Sequence, residues 1–168
     1  MINIYSKADY PGNELSNFAR HPFELDGVKI ASMEGFLQAL KYRNEENQKL
    51  VCSLSGEEAK RAGKYKFMWK MTQFLHWQGR DYELFSDNLQ ILIDRAYEAM
   101  YEQSEEFRKA LVATGSEVLT YEIGIQQMDK TVLTEYHFVR RLEKLRIRAL
   151  SEIEKQEEGD EYEGKTEK

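Results

Sequence analysis

The sequence predicts an α+β domain, mainly helical and compact, with short N-terminal strands and a β-hairpin. Three observations carry that expectation. Asp26-Gly27 lies between the apolar residues of 23–25 and 28–30, and Asp-Gly in such a setting is the strongest short-range hairpin signal. From Arg43 onward there is no proline, and apolar residues recur at the three- and four-residue spacing of helices. The 168 residues suit one domain that buries about two thirds of its extended surface.

Taken in order, Ile2 to Tyr5 alternate apolar and polar as a short strand does, and Pro11-Gly12-Asn13 ends it in a turn. The hairpin leads to Ser32, an N-cap for a helix from Met33 toward Asn44. Val51, Leu54 and Ala59 suggest short helices broken near Ser55-Gly56, and His76, Trp77 and Tyr82 fall in a connection around Gly79. Phe85, Leu89, Leu92, Ala96 and Met100 form an apolar ridge. Ser104 caps a further helix through Phe107 and Leu111, closed by Gly115, and 118–121 reads as a strand. In the last helix Val132, Tyr136, Val139, Leu142 and Leu145 make the buried face, with Arg140, Arg141, Lys144, Arg146 and Arg148 on the exposed side.

The net charge of −6 is unevenly placed. Residues 151–168 hold eight acids against three lysines, a net of −5, which leaves −1 for residues 1–150. The domain therefore spans 1–150, and 151–168 is an acidic tail, disordered or a frayed helix end, suited to solubility. A nearly neutral body argues against general nucleic-acid binding. The single Cys52 excludes an intrachain disulfide and reads as a small buried hydrophobe. His21, His76 and His137 lack metal-ligand spacing, so neither a metal site nor a cofactor is expected. No stretch approaches the roughly 20 apolar residues of a membrane span, and the opening residues do not resemble a signal peptide. A cytoplasmic location is expected.

On the helix after Ser32, Glu34, Gln38 and Lys41 fall at i, i+4 and i+7, a polar stripe on an otherwise apolar surface. Two readings compete: the stripe faces water, or it floors a cleft with a carboxylate, an amide and an amine side by side. At the helix start, Glu34 would tend to stay ionised unless its surroundings are dry. A second candidate feature is the run Lys60, Arg61, Lys64, Lys66 and Lys70, five cations in eleven residues interleaved with Tyr65, Phe67 and Trp69. Such a run holds phosphates and stacks a base, or is a solvated basic face with its rings in the core.

The pieces Leu15-Ser16-Asn17-Phe18, Pro22-Phe23, Leu25-Asp26-Gly27, and Glu34 followed by Phe36, Gln38-Ala39 and Lys41 resemble the opening signature of the YbiA-like family, also called NADAR (NAD and ADP-ribose associated). A second stretch, from Leu92 through Arg95-Ala96, Glu102-Gln103 and Phe107 to Ala113-Thr114, resembles its later helical pair. The resemblance implies a compact, mainly helical α+β fold that cleaves N-glycosidic bonds. Its substrates are phosphorylated riboflavin-pathway intermediates or ADP-ribose joined to guanine, free or within a modified nucleic acid. It implies that Asn17 and Phe18 shape the pocket, with Glu34 and Lys41 nearest the chemistry.

Where the family carries Gly-Arg this chain has Gly63-Lys64, which keeps a charge but loses the bidentate fork. The family's pocket tryptophan corresponds to Phe85, or to Trp77 with an insertion. After Glu122 the pattern departs: Lys130 and Leu133 match, whereas Thr131 and Thr134 replace an asparagine and a glycine. Asp129 and Glu135 are acids near the expected position. The expected function is therefore an N-glycosidase with Glu34 and Lys41 as catalytic groups. Asn17, Phe18, Gln38, Lys64, Trp77, Phe85 and Lys130 are expected to bind substrate. The alternatives are a non-catalytic binder or sponge of an ADP-ribose-like or cyclic nucleotide signal, and a protein-binding domain.

Overall fold

The computed structural model describes residues 1–125 and 130–166. Strand β1 (Ile2–Asn3) is followed by α1 (Gly12–Leu15), the hairpin β2 (Arg20–Leu25) and β3 (Val28–Ser32), then α2 (Met33–Ala39), α3 (Glu45–Cys52), α4 (Gly56–Lys64) and α5 (Met68–Thr72). A second hairpin, β4 (Phe74–Trp77) and β5 (Arg80–Glu83), precedes α6 (Asp87–Gln103), α7 (Glu105–Ala113), β6 (Leu119–Thr120) and α8 (Glu135–Thr166).

The hairpin at Asp26-Gly27 forms because both residues adopt positive φ (50° and 79°), the geometry a tight antiparallel turn demands. It places Phe23 opposite Ile30 and Leu25 opposite Val28, all buried. Ser32 then caps α2, its Oγ accepting from the Gly35 N–H at 3.1 Å. Gly35 is required here, since a Cβ would meet the Leu54 carbonyl oxygen at 2.7 Å. Helix α2 ends at Ala39, so Lys41 sits in the turn beyond it rather than on the helix. The Phe36 ring meets Trp77 edge-on at 5.1 Å in the core.

Helix α6 is the central rod, with Leu89, Leu92, Ile93, Ala96, Tyr97 and Met100 buried. Phe85 is not part of its ridge: it precedes the helix and is 53% exposed. Strand β1 pairs in parallel with β6, Ile2 opposite Leu119, and ties the N-terminus to the far end of the domain.

Helix α8 corrects the expected last helix in two places. Tyr136 is exposed, and the buried positions are Phe138, Leu142, Leu145 and Ala149. Arg141 is buried, with Nε 2.9 Å from Asp94 Oδ1 and Nη2 bonded to both Gln90 oxygens. Thr134 caps the start of α8, accepting from the His137 N–H at 3.2 Å. Where described, the acidic segment continues α8 to Thr166 as helix, exposed to solvent over 152–165. No helix of the described residues is long and apolar enough to cross a membrane.

Candidate active site

The polar stripe of α2 is fixed from both sides. The Glu34 N–H donates to the Asn17 carbonyl oxygen at 3.0 Å, and Asn17 Oδ1 accepts from the Tyr97 hydroxyl at 2.6 Å. Gln38 Nε2 donates to Glu34 Oε1 at 2.8 Å. Against this amide packs Gly63 of α4, where a Cβ would fall 1.6 Å from Gln38 Oε1. A side chain at position 63 would displace this amide from its place beside Glu34.

Burial overrides the helix N-terminus at Glu34. It raises the carboxyl above its ordinary range, although the Gln38 amide and the charges of Lys41 and Lys60 pull the other way. The setting is dry, the condition under which the helix start does not keep Glu34 ionised. Burial likewise lowers the Lys41 amine to about 8, assisted by Lys70 and opposed by Glu34.

Gln38 and Lys41 open into a cavity of about 540 Å³. Its wall carries Lys60, Arg61, Lys64, Lys66 and Lys70 from α4, α5 and the link between them, with Lys130 across from the later chain and Glu57 as the one acid among the described residues. The five cations of the basic run are exposed to solvent and at the same time line this cavity. The rings of the run divide: Trp69 is 4% exposed, with the ammonium groups of Lys41 and Lys70 at 5.3 and 5.5 Å from its centroid. Phe67 is exposed at the rim.

Among the residues expected to act, the fold gathers Gln38, Lys41, Lys64 and Lys130 around this cavity. Glu34 is one hydrogen bond from Gln38 and does not itself line it. Asn17 backs Glu34, and the Phe18 ring lies 6.0 Å from Lys60 Nζ. Trp77 and Phe85 are elsewhere. Trp77 is a core residue whose Nε1 donates to Asp26 Oδ2 at 2.8 Å, bracing the first hairpin, and Phe85 is exposed and does not line this cavity. Asp129 lies outside the described residues.

Two groups carry no signal for the site in their local sequence: Tyr97 and Tyr121, whose hydroxyl pKa values rise through burial with the Glu34 charge adding to it. Cys52 is fully buried and its thiol is pushed up to about 12, which makes it inert. Among the described residues no cluster of three His, Cys, Asp or Glu side chains could hold a metal ion.

A mixed helical domain of this topology, with a cationic cleft beside the first capped helix, is a YbiA-like fold. The NMR structure of YbiA from E. coli aligns over 90% of this chain and 85% of its own, with a TM-score of 0.59 and 23% sequence identity. Residues 9–147 match the family of Bacteriophage protein GP30.3, and the chain belongs to that family. It is 36% identical over 147 residues to a 17.1 kDa protein of the Gp30-rIII intergenic region of Enterobacteria phage T4, covering 86% of this chain and 96% of that one.

Proposed function

We propose that the cleft binds a phosphorylated sugar nucleotide and hydrolyses its N-glycosidic bond. Candidate substrates are an ADP-ribosylated guanine, free or within nucleic acid, and a ribosylaminopyrimidine phosphate of the riboflavin pathway. The observation that carries this reading is a cavity lined by the five cations of the basic run and by Lys130, adjoining the linked Glu34–Gln38 pair. Counting Lys41, its wall holds seven cations against Glu57. That excess suits phosphate, and Lys gives point charges that follow a flexible chain of them. A YbiA-like fold is compatible with a hydrolase, although fold does not itself confer chemistry.

The chemistry follows from the two perturbed groups. As the bond between C1′ and the base nitrogen breaks, positive charge builds at C1′, and a carboxylate nearby stabilises it or takes a proton from the incoming water. Glu34, whose carboxyl burial raises above its ordinary range, is the group assigned to that exchange. Lys41, at about 8, is neutral for about a tenth of the time at pH 7. Its amine can attack C1′ of a ring-opened ribosylamine: the bond from C1′ to Nζ forms, the bond from C1′ to the base amine breaks, and the amine leaves with a proton. Water then hydrolyses the lysine imine to the free sugar.

The test is release of free base from ADP-ribosylated guanosine and from a ribosylaminopyrimidine phosphate, followed by chromatography. Glu34→Gln is expected to lower the rate by about 10²–10⁴-fold. Borohydride during turnover is expected to fix the sugar covalently on Lys41. An unchanged rate in Glu34→Gln defeats the assigned role.

A second reading is favoured by one observation: Gln38, not Glu34, fronts the cavity. A protein that holds an ADP-ribose-like or cyclic nucleotide without cleaving it needs only the cations and the ring. Calorimetry with product analysis separates the two, since intact ligand recovered after tight binding marks a sponge.

A further inference from the structure

A second cavity, of about 740 Å³, adjoins the first, and Lys41, Lys66 and Trp69 line both. The rest of the basic run does not continue into it. Its walls include Tyr42, Met68 and Phe74, flat or pliant apolar groups, together with His76 and Asp81 from the second hairpin. We infer that this cavity receives the departing base and that His76, oriented by Asp81, is the acid that protonates the base as it leaves. The inference rests on the glycosidase reading and adds to it a residue that the reading does not use.

The geometry behind it begins in the turn. Gln78 and Gly79 both have positive φ (48° and 78°), which sets the register of β4 and β5 so that His76 stands opposite Asp81. Asp81 Oδ1 lies 2.7 Å from His76 Nδ1. A carboxylate only accepts, so Nδ1 is the donor in this pair and the exchangeable position is Nε2. Nε2 has no hydrogen-bond partner among the described residues. The ring is held where an open cavity can reach it, 14% exposed. On the far oxygen of Asp81, Arg43 Nη2 approaches to 3.7 Å.

Backbone and amide hydrogen bonds tie the hairpin to the Lys41 turn. The His76 N–H donates to the Leu40 carbonyl oxygen at 2.8 Å, which makes His76 a direct neighbour of the backbone that carries Lys41. Buried Gln48 spans the same seam, donating to the carbonyl oxygens of Tyr42 and His76 and accepting from the Gln78 N–H. A core histidine needs no cavity on its free side. This one lines the same cavity as Lys41, the residue assigned to the attack.

The step balances simply. The electron pair of the breaking C1′–N bond goes to the base nitrogen, and the proton on His76 Nε2 goes to that same nitrogen. Imidazolium becomes imidazole, which regains its proton from solvent after the base departs. An exocyclic amine is a poor leaving group without that proton, and an acid placed for it contributes about 10²–10⁴-fold.

The experiment uses the full chain and the base-release assay. His76→Gln is expected to lower kcat by about 100-fold or more with KM changed by less than about threefold, the signature of an interaction made in the transition state. Asp81→Asn, which disturbs positioning only, is expected to lower kcat about tenfold. His76→Asn keeps an amide near the Nδ1 position for Asp81 and serves if the Gln variant fails to fold. In His76→Gly, added imidazole is expected to restore part of the rate. A folded His76→Gln or His76→Asn protein that keeps more than about a third of wild-type kcat, or whose activity falls only through KM, overturns the assignment. Turnover abolished in Glu34→Gln but intact in the His76 variants removes this inference alone, whereas absence of base release by the wild-type chain removes both.

Discussion

Replacing Gly63 by alanine probes the site without touching a reacting group. The new Cβ would lie 1.6 Å from Gln38 Oε1, 2.5 Å from Cδ and 3.2 Å from Cγ, so the amide must swing aside; the backbone of α4 need not move, because the obstacle is a flexible side chain. Swinging breaks the 2.8 Å bond from Gln38 Nε2 to Glu34, which costs about 1.5–3 kcal/mol if the carboxylate is charged. Alanine in place of a helical glycine returns about 1 kcal/mol. The sum is a fall of about 0.5–2 kcal/mol, or about 1–8 °C in Tm for a chain of this size. The functional effect is larger than the stability effect. Gln38 is what holds the Glu34 carboxyl down against burial, so its removal raises that group further and shifts the acidic limb of the base-release pH profile upward. Calorimetric melting and a pH–rate profile of Gly63→Ala read both. A variant that melts about 1 kcal/mol more stable with an unmoved acidic limb would refute the argument, because it would mean that Gln38 never left Glu34.

Lys41→Met is expected to raise stability at pH 7 by up to about 3 kcal/mol, since a buried amine lowered from 10.5 to about 8 costs folding energy at neutral pH, while base release is abolished. The sign also holds for the wild-type chain: the unfolded state binds the Lys41 proton more tightly, so this group makes stability rise between pH 8 and 10.5, and urea titrations at several pH values check it. Glu34 acts oppositely, its raised carboxyl making stability fall as pH rises above 4.5 until its folded value is passed. Trp77→Phe removes the bond to Asp26, whose carboxyl burial pushes up but Arg95 and Trp77 together hold low, and is expected to cost about 1–3 kcal/mol by chemical denaturation with nucleotide affinity unchanged. Arg141→Ala strips four hydrogen bonds from a buried guanidinium and opens a cavity beside Asp94 and Gln90, so a fall of about 3–5 kcal/mol in urea unfolding is expected.

Local chemistry is legible in the sequence and long-range chemistry is not. Asp26-Gly27, the Ser32 cap and the Ser104 cap each act within four residues, and each lies where its residue type places it. The second hairpin escapes sequence reasoning because its turn is Gln78-Gly79; glutamine is not a residue that advertises positive φ, so the segment reads as a connection. An indole suits both a base and a core, so Trp77 reads as a pocket residue until its pairing with Asp26, 51 residues away, decides between them. Arg141 sits on the polar side of the α8 helical pattern, yet the facing Asp94 and Gln90 of α6 make its burial tolerable. The α2 stripe is ambiguous for the same reason: what turns Gln38 and Lys41 into a cavity floor is the approach of α4 at Gly63, which no periodicity within α2 contains.

This dependence on a neighbouring helix separates two kinds of residue at the site. Glu34, Gln38 and Asn17 are bound into the domain by backbone and side-chain hydrogen bonds, so their geometry is inherited from the core. The cations stand on α4, α5 and the link between, where Tyr65, Phe67, Met68 and Met71 are exposed and the burial is carried by Ala59, Gly63 and Trp69. Charge on that wall can therefore change with little effect on folding, whereas a change at buried Gly63 or Trp69 reaches the packing behind it. Removing Lys60 and Lys64 together should leave Tm within about 2 °C yet flatten the salt dependence of binding to a phosphorylated ligand, since an ammonium taken away from a phosphate takes one salt-screened attraction with it. A double alanine variant whose affinity keeps the wild-type dependence on salt would show that phosphate is held elsewhere.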